Sequence, residues 1–353
     1  MHKLKMAALA GATVMFGFAM VVGSYAQPGP GPAPGGAPAA GAPAGAAPGG
    51  RGGRGPAPQR VVKFAWAPKP NKPVGYTGVN KPVTRVADVL AAHKGQSRWT
   101  QEIVRDEDYS GNWISMAPGD KLGPQFYADD RVMMVVYSGQ LRVSIEGQEP
   151  FVAGPGFLVT IPYRNTYTME VVGNEPAVRF EVNGTDRLPF YPSTQTANDK
   201  PADPKGYTMT RLSWSGGGAT YTNPNPNQTA NTRPYLDFQK EIVQGGGRAG
   251  AFVSENGNFM NVINQMGAPT PPDTNLGHWH TDYNEFWYIA QGTVDYKMEG
   301  RPVFSAHVGD VVYAPKGLYH RASGGGTGMS TRIAINPRPE GLHNYHQDAD
   351  ARQ

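Results

Sequence analysis

The sequence predicts an all-β protein that contains two similar barrels, and two observations support this prediction. Short runs rich in Val, Ile, Phe and Tyr recur between Gly and Pro turns, which is typical of the many short strands of a sandwich or barrel. The chain of 353 residues also resembles itself when it is shifted by 153 residues without a gap. The clearest strand-like runs are 131–137, 141–145, 157–161, 177–182, 285–289 and 329–335. The shift pairs Asp129 with Asp282, Gly139 with Gly292, Phe151 with Phe304, Gly156 with Gly309, and Pro162 with Pro315.

The N-terminal residues 1–26 have the pattern of an export signal. Lys3 and Lys5 precede an apolar run at 6–23, and the small residues near Ala26 suit a signal peptidase. We therefore expect a periplasmic or secreted protein whose mature chain begins near Gln27. The alternative is an uncleaved membrane anchor, because about 18 apolar residues can just span a bilayer.

The rest of the chain divides into a linker, two barrels and a segment between them. Residues 27–60 are nearly all Pro, Gly and Ala and cannot bury enough apolar surface to fold. We place the barrels at 61–182 and 234–353. The polar segment 183–233 is too long for an ordinary turn, so it is expected to pack along one barrel or over its mouth. A short helix is predicted from Thr84, as the N-cap, to Gly95.

Composition excludes several kinds of chemistry. The chain has no Cys, so it can form no disulfide, thiolate metal site or cysteine nucleophile. Any metal must therefore be held by imidazole and oxygen. The formal charge is +4 and becomes +2 when the two signal lysines are removed, a balance that predicts no nucleic-acid partner. Without its signal, the chain is also expected to make no stable membrane insertion.

Four residues in the C-terminal half form a candidate metal site. His278 and His280 are two residues apart, so on a strand both imidazoles point to the same face. Glu285 begins the next apolar run, and His320 follows a Pro and Gly turn before a later strand. Three imidazoles and one carboxylate suit a borderline divalent ion with positions left for water or substrate.

These residues resemble the two motifs of the cupin superfamily. The first motif, His-x-His-x4-Glu-x6-Gly, is matched by His278, His280, Glu285 and Gly292. The second, Gly-x5-Pro-x-Gly-x2-His, is matched by Gly309, Pro315, Gly317 and His320. The resemblance implies tandem jelly-roll barrels, a bicupin, in which these three histidines and the glutamate bind one metal. Pro272 and Gly324 depart from residues that often flank the motifs, but neither is a ligand.

The N-terminal copy of the repeat lacks the ligands. The 153-residue shift places Gln125, Tyr127, Val132 and Tyr167 at the four ligand positions, and Arg164 at the position of the turn glycine Gly317. We therefore predict a degenerate first barrel and one divalent transition metal per chain. Fe, Mn or Cu is expected if the chemistry is redox, and Zn if it is not.

The layout resembles that of quercetinase-like dioxygenases and, second, of oxalate decarboxylases. It implies a dioxygenase-type oxidoreductase that acts on a small phenolic or carboxylate substrate. Two alternatives remain: a metal-dependent decarboxylase, lyase or isomerase on organic or sugar acids, and a protein that only binds a small ligand or metal. Barrels of this family commonly pair, so a homodimer is a possible assembly.

Further residues near the motifs are candidates for the reaction or for substrate binding. Tyr283 and Tyr319 are the nearest candidates for a catalytic base. Trp287 shares the face of Glu285 and could line the pocket, whereas Lys316 and Arg321 could meet an anionic substrate. Core packing for the aromatic residues and solvated surface positions for the two cations are the competing interpretations.

Two histidines lie near the C-terminus. His343 and His346 could bind stray metal, but a frayed tail is the favoured interpretation.

Overall fold

A computed structural model provides the fold of most of the chain. The predicted signal and linker lie outside the described residues. No helix among the described residues has the length and apolar character needed to cross a bilayer. The structure describes residues 65–193, 200–215, 217, 221, 233–246, 250–255, 257–267, 275–339 and 341–345.

Nearly all regular structure in the described residues is strand, as the sequence predicts. The first half contains β1 (Val83–Thr84), α1 (Val86–Ala92), β2 (Trp99–Arg105), β3 (Tyr109–Met116), β4 (Lys121–Gln125), β5 (Val132–Ser138), β6 (Leu141–Ile145), β7 (Phe151–Ala153), β8 (Phe157–Ile161), β9 (Tyr167–Val171) and β10 (Ala177–Gly184). The second half contains β11 (Tyr235–Asp237), a π-helical turn (Gln239–Gln244), β12 (Ala251–Glu255), β13 (Asn258–Met266), β14 (His278–Trp279), β15 (Glu285–Gln291), β16 (Thr293–Met298), β17 (Phe304–His307), β18 (Val311–Ala314), β19 (His320–Gly325), β20 (Met329–Asn336) and β21 (Asn344–Tyr345).

Each half forms a barrel from two antiparallel sheets. The first has the strand orders β11-β8-β5-β10-β3-β2 and β4-β9-β6-β7. The second has β1-β18-β15-β20-β13-β12 and β17-β16-β19-β14-β21. Strands β5 and β15 occupy the same place in the two barrels, and their bounds differ by the 153 residues of the sequence repeat. The predicted pair of β-barrels is confirmed.

The two barrels exchange one short strand each. β1 precedes the first barrel in sequence but pairs with β18 of the second, where Val83 is opposite Val312. In return, β11 pairs with β8 of the first barrel, where Leu236 is opposite Leu158. The same 153-residue shift relates β1 to β11 and α1 to the π-helical turn, so the exchange is reciprocal. The ranges predicted from sequence do not include it, because these strands are only two and three residues long.

Helix α1 is shorter than predicted and has a different cap. Thr84 belongs to β1, so the prediction that it caps the helix is wrong. Instead, Asp310 of the second barrel accepts a hydrogen bond from the Val86 backbone N at 3.1 Å. It also forms an ion pair with Arg85 at 2.6 Å. A distant carboxylate therefore satisfies the first turn of the helix.

The described parts of the segment 183–233 lie along the first barrel. Phe190 pairs through its backbone with Phe126, and their rings stack with centroids 5.5 Å apart. Tyr221 donates a hydrogen bond to the Thr160 carbonyl at 2.5 Å. These contacts are with the first barrel, and both predicted placements of the segment stay predictions.

The barrels are joined by a shared apolar core. Alternate residues of a strand point to opposite faces. Nearly every residue of β10 and most residues of β15 are buried, so both faces of each strand are covered. On β15, Phe286 and Tyr288 face the other barrel, where Phe180 of β10 lies 6.4 Å and 6.1 Å from them between ring centroids. Glu285 and Trp287 face the interior of their own barrel. One strand therefore builds both the interface and the candidate site.

Phe180→Ala tests this core. Phe180 is fully buried, so its truncation should lower the free energy of unfolding by about 3 to 5 kcal/mol, from lost burial and the cavity left behind. Denaturant unfolding of the purified protein measures the loss. Val152→Ala, at a side chain that is 41% exposed on β7, is the control and should cost under about 1 kcal/mol. Similar losses in the two variants would contradict the proposed role of this core.

Candidate metal site

The structure brings the four predicted ligand residues together inside the second barrel. One ligand atom from each of His278, His280, Glu285 and His320 lies within 4.8 Å of every other. His280, Glu285 and His320 are buried, and His278 is the more exposed member. They come from β14, from the residue that follows it, and from the first residues of β15 and β19. The cluster could therefore hold a metal ion.

Backbone carbonyls determine which nitrogen of two imidazoles faces the cluster. His280 Nδ1 is 3.1 Å from the Leu342 carbonyl, and His320 Nδ1 is 3.0 Å from the Leu318 carbonyl. A carbonyl only accepts, so each Nδ1 carries the proton. In the neutral form of each ring, Nε2 is then left with a lone pair. Second contacts of this kind are typical of metal-binding histidines.

Those lone pairs face a carboxylate oxygen. Glu285 Oε2 lies 2.9 Å from His280 Nε2 and 3.5 Å from His320 Nε2. Two acceptors at this separation repel unless a proton or a cation lies between them. Two ligand atoms about 2.1 Å from an ion and at a right angle are about 3.0 Å apart, so a metal ion accounts for the spacing.

Unpartnered atoms point to the same conclusion. The Nε2 atoms of His278 and His320 are buried and have no hydrogen-bond partner among the described residues. Burial lowers the pKa of both imidazoles, which keeps them neutral and able to bind a cation. Burial alone would raise the pKa of Glu285, but its interactions with the His280 and His320 rings lower that pKa well below its usual value, so the carboxylate is ionised. The donor set therefore fits a divalent ion.

A glycine turn presents His320 to the cluster. Gly317 has a φ of +82°, which favours glycine, and its backbone N donates to the His280 carbonyl at 2.7 Å. The first barrel keeps this bond, from Arg164 N to the Tyr127 carbonyl at 2.7 Å. Arg164 adopts a φ of 59° there. The turn is therefore retained in the barrel that lacks the ligands.

The equivalent region of the first barrel is occupied by hydrogen bonds among its own side chains. Gln125 Nε2 donates to the Tyr167 hydroxyl at 2.7 Å, and Asn183 Nδ2 donates to the Tyr127 hydroxyl at 3.1 Å. Val132, at the position of Glu285, is buried in the apolar core. No group of metal-ligating side chains is found there among the described residues.

The two tyrosine candidates lie in different surroundings. Tyr283 packs on His280 with ring centroids 4.2 Å apart, and burial raises the pKa of its phenol. Tyr319 instead lies beside Trp279 and under the Lys69 ammonium, which is 4.9 Å from its ring. Only Tyr283 therefore contacts a predicted ligand, and it stays protonated near neutral pH.

The three pocket candidates are also placed differently. Trp287 is buried in the barrel core with its ring 5.2 Å from that of His320. Lys316 forms an ion pair with Glu107 of the first barrel. Arg321 is buried, alternates with His320 on β19 and donates to the Asn275 carbonyl. Only Trp287 adjoins the cluster, and all three roles in substrate binding stay predictions.

His343 adjoins the cluster, contrary to the frayed tail that we expected. Its ring lies 4.5 Å from that of His278 and 4.9 Å from that of His280. Strand β21, which follows it, pairs with β14, so the tail is part of the sheet that carries the ligands. No motif covers this residue, and its only sequence signal is that it is a histidine. His346 lies outside the described residues.

The comparisons with known proteins agree with this architecture. A family model described as a cupin domain matches residues 268–333. The matched residues include all four members of the candidate metal cluster. No curated protein matches the chain in sequence.

Solved structures of two enzymes are similar to this chain at low sequence identity. A mutant salicylate 1,2-dioxygenase from Pseudoaminobacter salicylatoxidans in complex with gentisate is 10% identical, with a TM-score of 0.52 and coverage of 76% of this chain and 85% of that one. Another structure of this dioxygenase, from Pseudaminobacter salicylatoxidans, has 10% identity, a TM-score of 0.50 and coverage of 75% and 86%. Oxalate decarboxylase from Bacillus subtilis has 14% identity, a TM-score of 0.44 and coverage of 76% and 79%. At these identities the two dioxygenase structures show only that the fold is shared.

Metal analysis of two variants tests the asymmetry between the barrels. The wild-type protein, purified from its native compartment, should contain about one metal per chain, because one ligand set is intact. His280→Ala should lose that metal, whereas Tyr127→Ala should retain it. Elemental analysis measures both. Two metals per wild-type chain, or equal loss in the two variants, would contradict the assignment.

Proposed function

We propose that this protein is a metal-dependent cupin oxidoreductase of the dioxygenase type. One observation carries the proposal: the Nε2 atoms of His280 and His320 converge on the carboxylate of Glu285, and those of His278 and His320 have no hydrogen-bond partner among the described residues. A bound ion would supply Lewis acidity or electrons to an oxygen-bearing substrate. Fe, Mn or Cu suits this chemistry, and Zn would suit a non-redox reaction.

The surrounding side chains would hold the ligands and limit the access of water. Trp287 and the apolar core beside it form a buried wall next to His320. Tyr283 covers one face of His280. His278 is the least buried of the four, so a substrate would reach the site from its side. Exclusion of water would strengthen the electrostatic interactions inside such a site.

A small phenolic or carboxylate compound is the proposed substrate. The fold comparison supports this choice, because one similar structure is a dioxygenase named for salicylate that was solved with gentisate. Both names denote small aromatic acids. The buried aromatic residues Tyr283 and Trp287 beside the ligands would suit a planar substrate.

Two other functions remain candidates because of Tyr283. Its pKa is raised by burial, so the phenol that contacts the cluster is a poor general base. This observation favours either a reaction that needs no side-chain base, such as a metal-dependent decarboxylation, or simple binding of a ligand.

Oxygen consumption tests the proposed reaction. Protein loaded with Fe, Mn or Cu should consume O2 with at least one member of a panel of phenols and organic acids. His280→Ala, treated in the same way, is the control and should be inactive, because a ligand is missing. An oxygen electrode and product analysis measure the reaction.

The alternatives predict different results in the same assay. Release of CO2 from an acid without O2 uptake would indicate a decarboxylase. If no panel member is consumed or converted but one of them binds tightly, the protein would be a binding protein. Either result would overturn the dioxygenase proposal.

We also propose that the protein is exported, on the strength of the N-terminal sequence alone. The pattern lacks a twin-Arg pair, so the chain would cross the membrane unfolded and acquire its metal outside the cytoplasm. N-terminal sequencing of the mature protein should begin near Gln27, and a retained Met1 in a cytoplasmic fraction would contradict export.

A further inference from the structure

The residues 341–345, which we call the C-terminal strap, are built into the sheet that carries the candidate ligands. Strand β21 pairs with β14, where Tyr345 is opposite His278 and Asn344 is opposite Trp279. Asn344 Nδ2 also donates to the Trp279 carbonyl at 3.2 Å. The strap therefore ends in an edge strand that lies beside the strand of His278.

The strap contacts the buried ligand His280 through its backbone. The Leu342 carbonyl accepts the Nδ1 proton of His280 at 3.1 Å. This bond orients the ring so that its Nε2 atom points at the Glu285 carboxylate. In metal sites, loss of such a second contact typically weakens metal binding about 10-fold to 100-fold.

The strap also places a second polar group on the solvent side of the cluster. The His343 ring contacts those of His278 and His280, yet His343 is exposed whereas His280, Glu285 and His320 are buried. It therefore lies at the side from which a ligand would approach. A neutral imidazole has one N–H donor, which His343 directs to the Gly341 backbone and can turn instead to an incoming anion.

We propose that the C-terminal strap completes the metal site, and that His343 donates a hydrogen bond to a small anion, such as a carboxylate, that binds beside the metal. The proposal rests on the metal site of the proposed function but not on the reaction. In it, Leu342 positions His280 through a main-chain atom, and His343 is a binding residue for the anion.

The first experiment shortens the chain and measures the affinity for Co²⁺, a visible-light probe of coordination. A chain that ends at Glu340 should bind Co²⁺ about 10-fold to 100-fold more weakly than wild type, because the carbonyl that orients His280 is missing. A chain that ends at Tyr345 is the matched control and should bind as wild type does. Equal affinity in all three chains would overturn the role of the strap.

A full-length variant covers the case in which the shorter chain does not fold. Asn344→Ala removes the side-chain bond to the Trp279 carbonyl and loosens the strap without shortening the chain. It should bind Co²⁺ several-fold more weakly than wild type. Unchanged affinity in this variant would likewise overturn the role of the strap.

The second experiment titrates the Co²⁺-loaded protein with azide, a small anion that alters the visible spectrum when it binds the ion. His343→Ala should retain one Co²⁺ per chain but bind azide about 10-fold more weakly, since it lacks one hydrogen bond to a charged group. His343→Asn, which keeps a donor, should recover part of the affinity. His307→Ala is the control, because His307 is an exposed histidine on β17 that bonds to Thr293.

The outcomes separate this inference from the proposed function. Equal azide affinity in wild type and His343→Ala would overturn the role of His343 even if the enzyme consumes O2. The expected azide result without O2 uptake would support the strap and overturn only the dioxygenase proposal. Wild-type protein that binds no Co²⁺ would overturn both.

Discussion

The candidate metal site depends on one interaction, the approach of Glu285 Oε2 to the Nε2 atoms of His280 and His320. Backbone carbonyls hold a proton on Nδ1 of both rings, so in the neutral rings the facing atoms are all acceptors. In a buried site this arrangement is unfavourable unless a positive charge lies between the atoms. A divalent ion provides that charge, and the unpartnered Nε2 of His278 adds a third imidazole. The hydrogen bonds of the ligands therefore favour a bound cation at this point.

The fold supports this interaction because the ligand-bearing strand is fixed on both faces. On β15, Glu285 and Trp287 point into their own barrel, and Phe286 and Tyr288 pack against the first barrel. The reciprocal exchange of β1 and β11 and the bond from Val86 to Asp310 join the barrels further. The first barrel has no ligand set of its own among the described residues, but its core holds the strand that carries Glu285.

Much of this could be predicted from sequence because the signals are local and repeated. Residues two apart on a strand share a face, so the pair His278 and His280 was informative without coordinates. The gapless repeat identified both barrels and showed that Tyr127 and Val132 replace ligands in the first. Strand positions such as Leu141–Ile145 were predicted at their observed bounds.

The features that were missed depend on contacts between distant parts of the chain. Strands as short as β1 and β11 have too few residues to show a period, so their exchange was not predictable. The true cap of α1 is Asp310, more than 200 residues away, and Thr84 looked adequate only because propensity is local. His343 follows no motif, and only the pairing of β21 with β14 brings it to the cluster.

The most direct measurement is anomalous diffraction from crystals of the metal-loaded protein at the absorption edge of the bound ion. We expect one strong peak per chain, about 2.0 to 2.2 Å from a nitrogen of His278, His280 and His320 and from an oxygen of Glu285. If the strongest peak lies elsewhere, or if these four side chains point to different cavities, the assignment of this metal site is wrong.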